Sequence, residues 1–483
     1  MNGVAYYPQR RQPPWEELIR QQLEQTQADL RNKKLLLIQK QQQQQQIKYK
    51  QIQIQKQELA ASQSIPRKRN DTSTNKMAAY LVCLTAAGGV PLFSRKIGDL
   101  KTLPFPVIGS LNGVHMFAKS KTVTLLSTAT KDAQVVWKVF HDSIMLIFIT
   151  TQQEDDKYGI HLLQSVFDAM VLLVGLDDLT RIKNVERLKK DLRCCFKLVD
   201  TLLYQSEAEH GLVGQMTLSV DCLLTPNHQV LQNHLEYFVE SLGTMYGCLL
   251  VHGRLVVATK KWWTLSECEA GLLAMFISCC SKMTTRDIPI FLPVESPSVP
   301  HRLVTFCLLP GVEVCVLCGP TPSITEMEKR NFCNYWRNCQ DVLLNTSKLY
   351  PKNCSVNVTL DSNILAFILV NTETKRCLCS TQPVEKAKLM NSKQCQEILR
   401  AFYKWICGSF FVDTTQEVYR VFHTRLKHSA TETYMCTDTF KCFAQCNESY
   451  QLFLLFNNQI PTYSLRSISH KTLDTIIVKN VHF

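Results

Sequence analysis

The feature that most restricts the fold is a pattern that occurs three times. An apolar strand, a tight turn and a second strand open each copy: Ala78 to Arg95 about Gly88-Gly89, Tyr246 to Lys260 about Gly253, and Ile364 to Thr381 about Asn371 to Thr374. Period-two apolar runs joined at Gly or Asn form hairpins, because those residues accept the backbone angles such turns need. In the first copy a helix (Pro106 to Ala118) follows, then strands Thr122 to Ser127, Gln134 to Phe140 and Ser143 to Thr150, then a helix Tyr158 to Val174. The second copy has helix Thr264 to Ser281, strands Ile288 to Val294, Arg302 to Leu309 and Val312 to Cys318, and helix Ile324 to Leu344. The third has helix Ser392 to Phe411, strands Glu417 to Thr424, Tyr434 to Ala444 and Tyr450 to Asn457, and helix Ser464 to Val478. A unit of this order is an α+β layer, a five-stranded antiparallel sheet flanked by helices. The expected domains are 77–210, 228–348 and 360–483, with breaks at Glu207 to Asn227 and Tyr350 to Ser362.

The chain of 483 residues is long enough for three such units. Residues 1–76 stand apart, with 18 Gln and 14 of the 54 basic residues against 6 of the 41 acidic ones. They read as a Gln-rich basic extension, disordered or a frayed helix, because apolar positions are not sustained. The remainder is close to charge balance, which argues against a nucleic-acid footprint. No run approaches the roughly 18 apolar residues of a spanning helix, and Met1 to Arg20 lacks an apolar leader core, so a cytosolic protein is expected. All 21 cysteines lie beyond residue 76 and are then small buried thiols rather than a disulfide frame.

Motifs with a chemical mechanism are absent: there is no phosphate loop, zinc-binding His-Glu-x-x-His helix, nucleophile elbow or kinase set. Cys315 and Cys318 with Cys333 and Cys339 have loose metal-ligand spacing, but on a strand the first pair points to opposite faces, so no metal site and no cofactor is expected. Asp177-Asp178, Glu154 to Asp156 and His141-Asp142 sit at element ends, where capping and turn contacts account for them. A helix Leu179 to Tyr204 places Lys183, Arg187 and Lys190 at helical spacing with Arg181, Lys189 and Arg193 nearby. That face is either solvated or suited to acidic phospholipid headgroups.

Gly88 to Phe93, Val107 to Phe117, Val136 to Ser143, Ala169 to Leu176, Asn184 to Leu192 and Val299 to Leu303 resemble the Fuzzy family of planar cell polarity effectors. The likeness spans Met77 to the C-terminus. It implies three longin-type domains and assembly with an Inturned-like longin protein and a WD-repeat planar polarity effector of the Fritz type. It further implies a role in cilium formation at the basal body, as part of an exchange factor for a Rab-family small GTPase. In such a complex no side chain does covalent work, so the chain is not expected to be an enzyme. Family position puts the helix carrying Leu111, Val114 and Phe117 beside the edge where longin domains pair; packing of these side chains on their own sheet is the alternative.

Overall fold

The computed structural model describes residues 78–98, 102–131, 133–151, 156–204, 212–280, 283–329, 335–354, 358, 360–381, 390–411 and 430–479. The expectations for 1–76 and for a strand Glu417 to Thr424 lie outside these residues.

The first sheet consists of β1 (Ala79–Thr85), β2 (Pro91–Ile97), β3 (Ser127–Ala129), β4 (Gln134–Phe140) and β5 (Ile144–Thr150). A short strand, β6 (Val220–Asp221), precedes the second set: β7 (Tyr246–Val251), β8 (Arg254–Ala258), β9 (Thr285–Leu292), β10 (Ser296–Leu309) and β11 (Val312–Cys318). The third set is β12 (Ile364–Asn371), β13 (Arg376–Ser380), β14 (Glu432–Cys436), β15 (Phe440–Cys446) and β16 (Tyr450–Asn457). Their lateral orders are β2-β1-β5-β4-β3, β8-β7-β11-β10-β9 and β13-β12-β16-β15-β14. This is one topology three times, with every pairing inside a set antiparallel.

Strand alternation gives each sheet two apolar faces. In the first, Tyr80, Val82, Leu84, Trp137, Met145 and Ile147 pack under the helix Phe105–Ser120, while Leu81, Cys83, Val136, Leu146 and Phe148 join a larger core. That larger core is shared by all three modules: it includes Leu163, Phe167 and Met170 of the first, Leu273, Met275 and Leu317 of the second, and Leu369, Leu454 and Ile476 of the third. The helix Asp156–Val174 lies within it. By length and composition this helix could cross a membrane, contrary to the expectation that no segment would qualify. Its burial on nearly every side identifies it as a core helix, and its apolar content follows from contacts with its own sheet and with the second module.

Several element boundaries differ from the sequence reading. The expected strand Tyr434 to Ala444 is a hairpin, β14 and β15, turning where Thr437 Oγ1 accepts from the N–H groups of Thr439 (3.3 Å) and Phe440 (3.0 Å). The expected strand Thr122 to Ser127 begins only at Ser127, since Thr122 has a positive φ of 57° as the chain leaves the preceding helix. An additional helix, His228–Ser241, covers the outer face of the second sheet through Leu231, Leu235, Phe238 and Val239.

The break expected at Glu207 to Asn227 is structured where it is described. Val220 N–H donates to Lys375 O and Cys222 N–H to Cys377 O, both at 2.8 Å, so β6 runs parallel to β13 as a sixth strand of the third sheet. Leu223 N–H then donates to Leu255 O at 2.9 Å, and Cys222 bridges Leu255 of β8 in the parallel sense. One extended segment thus covers the corresponding edge strand of two modules.

Candidate partner interfaces

The helix Phe105–Ser120 enters from Pro104, with Pro106 in its first turn, where a missing N–H costs no intrahelical bond. It contains no acidic residue, and Ile108 and His115 are its buried members. Leu111, between them on the same face, is half-buried against the first sheet, as the core-packing alternative required. Val114 and Phe117 turn outward and are 53% and 66% exposed; Phe105 (69%), Val107 (40%) and Met116 (41%) are exposed as well. The three residues assigned together from sequence therefore separate into one inward and two outward.

Gly109 and Gly113 leave open space where a Cβ would stand, so the outward backbone of this helix can be approached closely. Lys121 lies 5.9 Å from the centroid of the Phe117 ring, and Lys119 pairs with Asp142 at 3.2 Å. Exposure of five large apolar side chains on one helix is the kind of surface that serves interaction. The equivalent helix of the second module, Glu267–Cys279, shows what such a surface looks like when covered. Its Leu272, Leu273, Met275 and Ile277 are buried in the shared core with Leu198 and Leu202 of the first module. Ser266 and Glu269 form a capping box at its start, and Glu269 Oε1 also accepts from the N–H groups of Val294 (2.8 Å) and Glu295 (2.9 Å).

The basic segment is not one helix. Leu176–Thr180 ends at Arg181; Asn184 then caps Val185–Asp191, its side-chain oxygen accepting from Arg187 N–H at 3.0 Å; a 3-10 turn Leu192–Cys195 leads into Phe196–Tyr204. Asn184 is the local cause, since its side chain satisfies a helix start that an unbroken helix would not have. Arg181, Lys183, Arg187, Lys190 and Arg193 are exposed and Lys189 is half-buried, but they lie on three segments instead of one face. Arg187 is also held by Asp191 at 3.6 Å and Lys189 by Glu186 at 2.8 Å.

Cys315 faces the shared core, whereas Cys318 faces the outer core of the second module, to which Cys339 also belongs, so β11 does separate them. Cys333 lies outside the described residues, and no metal-holding group is found among those described. His141 and Asp142 occupy a turn at positive φ, and Asp177 accepts from Ser298 Oγ at 3.1 Å.

One charged site went unnoticed in the sequence. Asp221, in β6, is 8% exposed and accepts from the N–H groups of Val213 (2.9 Å) and Gly214 (2.7 Å). Burial pushes its carboxyl pKa up, opposed by the guanidinium groups of Arg254 and Arg400 and by those two amides. Arg254 belongs to the second module; Arg400, from the third, donates to Leu212 O at 2.9 Å. A cavity of about 270 Å³ opens beside it, lined by His161 and Ser165 of the first module, Gln215 of the linker and Cys268 of the second. Cys268 in turn donates to Asp168 of the first module at 3.2 Å. Nothing in local spacing marks Asp221, because the two cations it meets are 33 and 179 residues away in sequence.

The repeated 2-1-5-4-3 sheet with one helix before the third strand and one after the fifth defines a protein of three longin domains. Three family descriptions match in succession: the first Longin domain of FUZ, MON1 and HPS1 at residues 79–202, the second at 242–332 and the third at 363–479. The chain is 40% identical over 409 residues to the protein fuzzy homolog of Xenopus tropicalis and, over the same length, 40% identical to that of Homo sapiens. Each alignment covers 82% of this chain and 97% of the relative. It is 37% identical over 406 residues to the protein fuzzy homolog of Mus musculus, with the same coverage. The chain belongs to the Fuzzy family of planar cell polarity effectors.

Proposed function

We propose that this chain is a noncatalytic subunit of a basal-body complex that promotes nucleotide exchange on a Rab-family small GTPase and directs traffic to the cilium. Its partners in this reading are an Inturned-like longin protein and a WD-repeat effector of the Fritz type, in the cytoplasm and at the ciliary cytoskeleton. The observation that carries it is the uncovered apolar face of Phe105–Ser120, at the position where the second module's helix is covered by neighbouring helices. A longin partner supplies that cover, and the pair presents a joint surface to the GTPase. Exchange then needs only stronger binding to the nucleotide-free GTPase than to the nucleotide-bound one, and the difference in affinity sets the acceleration. The test is release of fluorescent GDP from a panel of Rab proteins by the chain with its longin partner. Acceleration on one of them supports the reading, and none across the panel removes it.

A second reading, a scaffold or phosphoinositide-binding membrane adaptor without exchange activity, draws on exposed Arg181, Lys183, Lys190 and Arg193, which make no ion pair among the described residues. Reversing Lys183, Arg187 and Lys190 to Glu is expected to abolish sedimentation with phosphoinositide liposomes under that reading. Unchanged sedimentation would count against it.

A further inference from the structure

Of the described cysteines, only Cys194 and Cys436 are exposed, and their surroundings differ. Cys194 and Cys195 end the 3-10 turn Leu192–Cys195, with their Sγ atoms 3.8 Å apart. The Cys194 thiol also donates to Asp191 O at 2.9 Å. Cys195 is fully buried in the shared core. One thiol of the touching pair therefore meets solvent and the other is sealed behind it. Cys436 has the hydroxyl of Thr462 beside it instead, at 3.9 Å.

The contact divides the two thiols by reactivity. The hydrogen bond with Cys195 draws the Cys194 thiol below the ordinary cysteine range, whereas the same contact and burial push Cys195 well above it. Because the thiolate is the nucleophile, an oxidant arriving from solvent meets the reactive sulfur first, with a protonated one in contact behind. A second pair of chain neighbours, Cys279 and Cys280, lacks this division. Burial pushes both of those thiols up, and Cys279 Sγ is turned to Thr201 Oγ1 at 3.0 Å.

We propose that Cys194 and Cys195 form a peroxide-responsive dithiol, in which Cys194 is oxidised first and Cys195 closes a reversible disulfide on it. The Cys194 thiolate attacks one peroxide oxygen and the O–O bond breaks. This leaves a sulfenic acid and hydroxide, which takes up the proton that the thiol had released and becomes water. Cys195 sulfur then attacks the Cys194 sulfur, the S–O bond breaks, and the departing hydroxide takes the Cys195 proton as a second water. Two thiols and one peroxide give one disulfide and two waters; the sulfurs lose two electrons and the peroxide gains them.

Chain geometry makes the bond both reversible and consequential. Neighbouring Cα atoms are about 3.8 Å apart, whereas a relaxed disulfide spans about 4.4 Å or more. Closure therefore takes the turn out of 3-10 geometry, and the strain makes the bond easy to reduce. The helix Phe196–Tyr204 continues directly from this turn. Its Phe196 packs on Phe93 with ring centroids 5.4 Å apart, its Asp200 holds Arg95 of β2, and its Thr201 meets Cys279 of the second module. Oxidation thus loosens this helix where it seats between the first two modules.

The test treats the reduced full chain with a few equivalents of hydrogen peroxide, alkylates the remaining thiols and maps tryptic peptides by mass. Arg193 and Lys197 frame the pair, so trypsin releases both cysteines in one short peptide. That peptide is expected to lose two hydrogens and escape alkylation, and to recover both thiols with dithiothreitol. Its oxidation is expected to outpace that of Cys436 by about tenfold or more. Amide exchange across Phe196–Tyr204 is expected to quicken on oxidation and recover on reduction. Cys195→Ala is expected to leave a sulfenic acid on Cys194 that dimedone captures. Cys194→Ser, at an exposed position, is expected to fold as the parent does and to give neither product; should Cys195→Ala not fold, the parent and Cys194→Ser decide the matter. Two alkylated thiols remaining at the pair while Cys436 is oxidised overturn the proposal, as does a disulfide from either cysteine to another residue or to a second chain. Unchanged amide exchange in the disulfide form overturns the loosening of the helix. None of these measurements involves a GTPase, so their outcome is separate from that of the exchange reading.

Discussion

Asp221→Ala is expected to destabilise the chain by about 3–5 kcal/mol, the usual cost of removing one member of a buried charge set. Two effects act in the same direction. The N–H groups of Val213 and Gly214 lose their acceptor inside the protein, and the charges of Arg254 and Arg400 lose the carboxylate that offsets their burial. Arg400 is 7% exposed and Arg254 is 4% exposed, so water cannot replace the carboxylate readily. Thermal unfolding of the full chain measures the loss. Asp221→Asn removes the charge but keeps an acceptor for one of the two amides, which bond to different carboxylate oxygens, so a smaller loss is expected. Equal stability of the alanine variant and the parent would mean that β6 is held by its strand pairing alone.

Val114→Asp with Phe117→Asp is expected to weaken association with the longin partner by about a hundredfold or more, as loss of two apolar anchors at an interface centre does. Both side chains are exposed in the isolated chain, so the unfolding temperature should scarcely change. That contrast is the useful part: Ile108→Asp, a buried position on the same helix, should lower stability and association together. Titration of each variant against the labelled partner, beside its melting curve, separates the two cases. Unaltered association of the double variant would place the partner elsewhere and leave the apolar face unexplained.

How much of this was legible differs from element to element, for physical reasons. The threefold order was plain because period-two apolar runs and hairpin glycines are local signals, and β4, β11 and β16 occur where those runs do. The hairpin within Tyr434 to Ala444 escaped notice because its turn, Thr437 to Thr439, has no glycine and is held by a threonine hydroxyl. The break before Val185 rests on a single side chain, Asn184, placed among residues that otherwise continue a helical pattern. β6 has two residues and no periodicity of its own; it is a strand only because β13 and β8 are there to pair with it. On the helix Phe105–Ser120, the resemblance grouped three residues without showing how the helix is rotated on its sheet. Helical spacing groups Leu111 with Val114 and Phe117, and only the position of the sheet tells which of them it covers.

The shared strand has a consequence for anyone who would take the chain apart. A segment resembling a tether between the first and second units is in fact a component of the second and third, so the units are not interchangeable cassettes. A fragment beginning at Tyr246 would carry two sheets stripped of the piece that joins them, whereas one beginning at Leu212 would keep it. Chimeras exchanging single units among family members should accordingly be cut ahead of that residue, and a graft of the third unit should travel with residues borrowed from well before its own first strand.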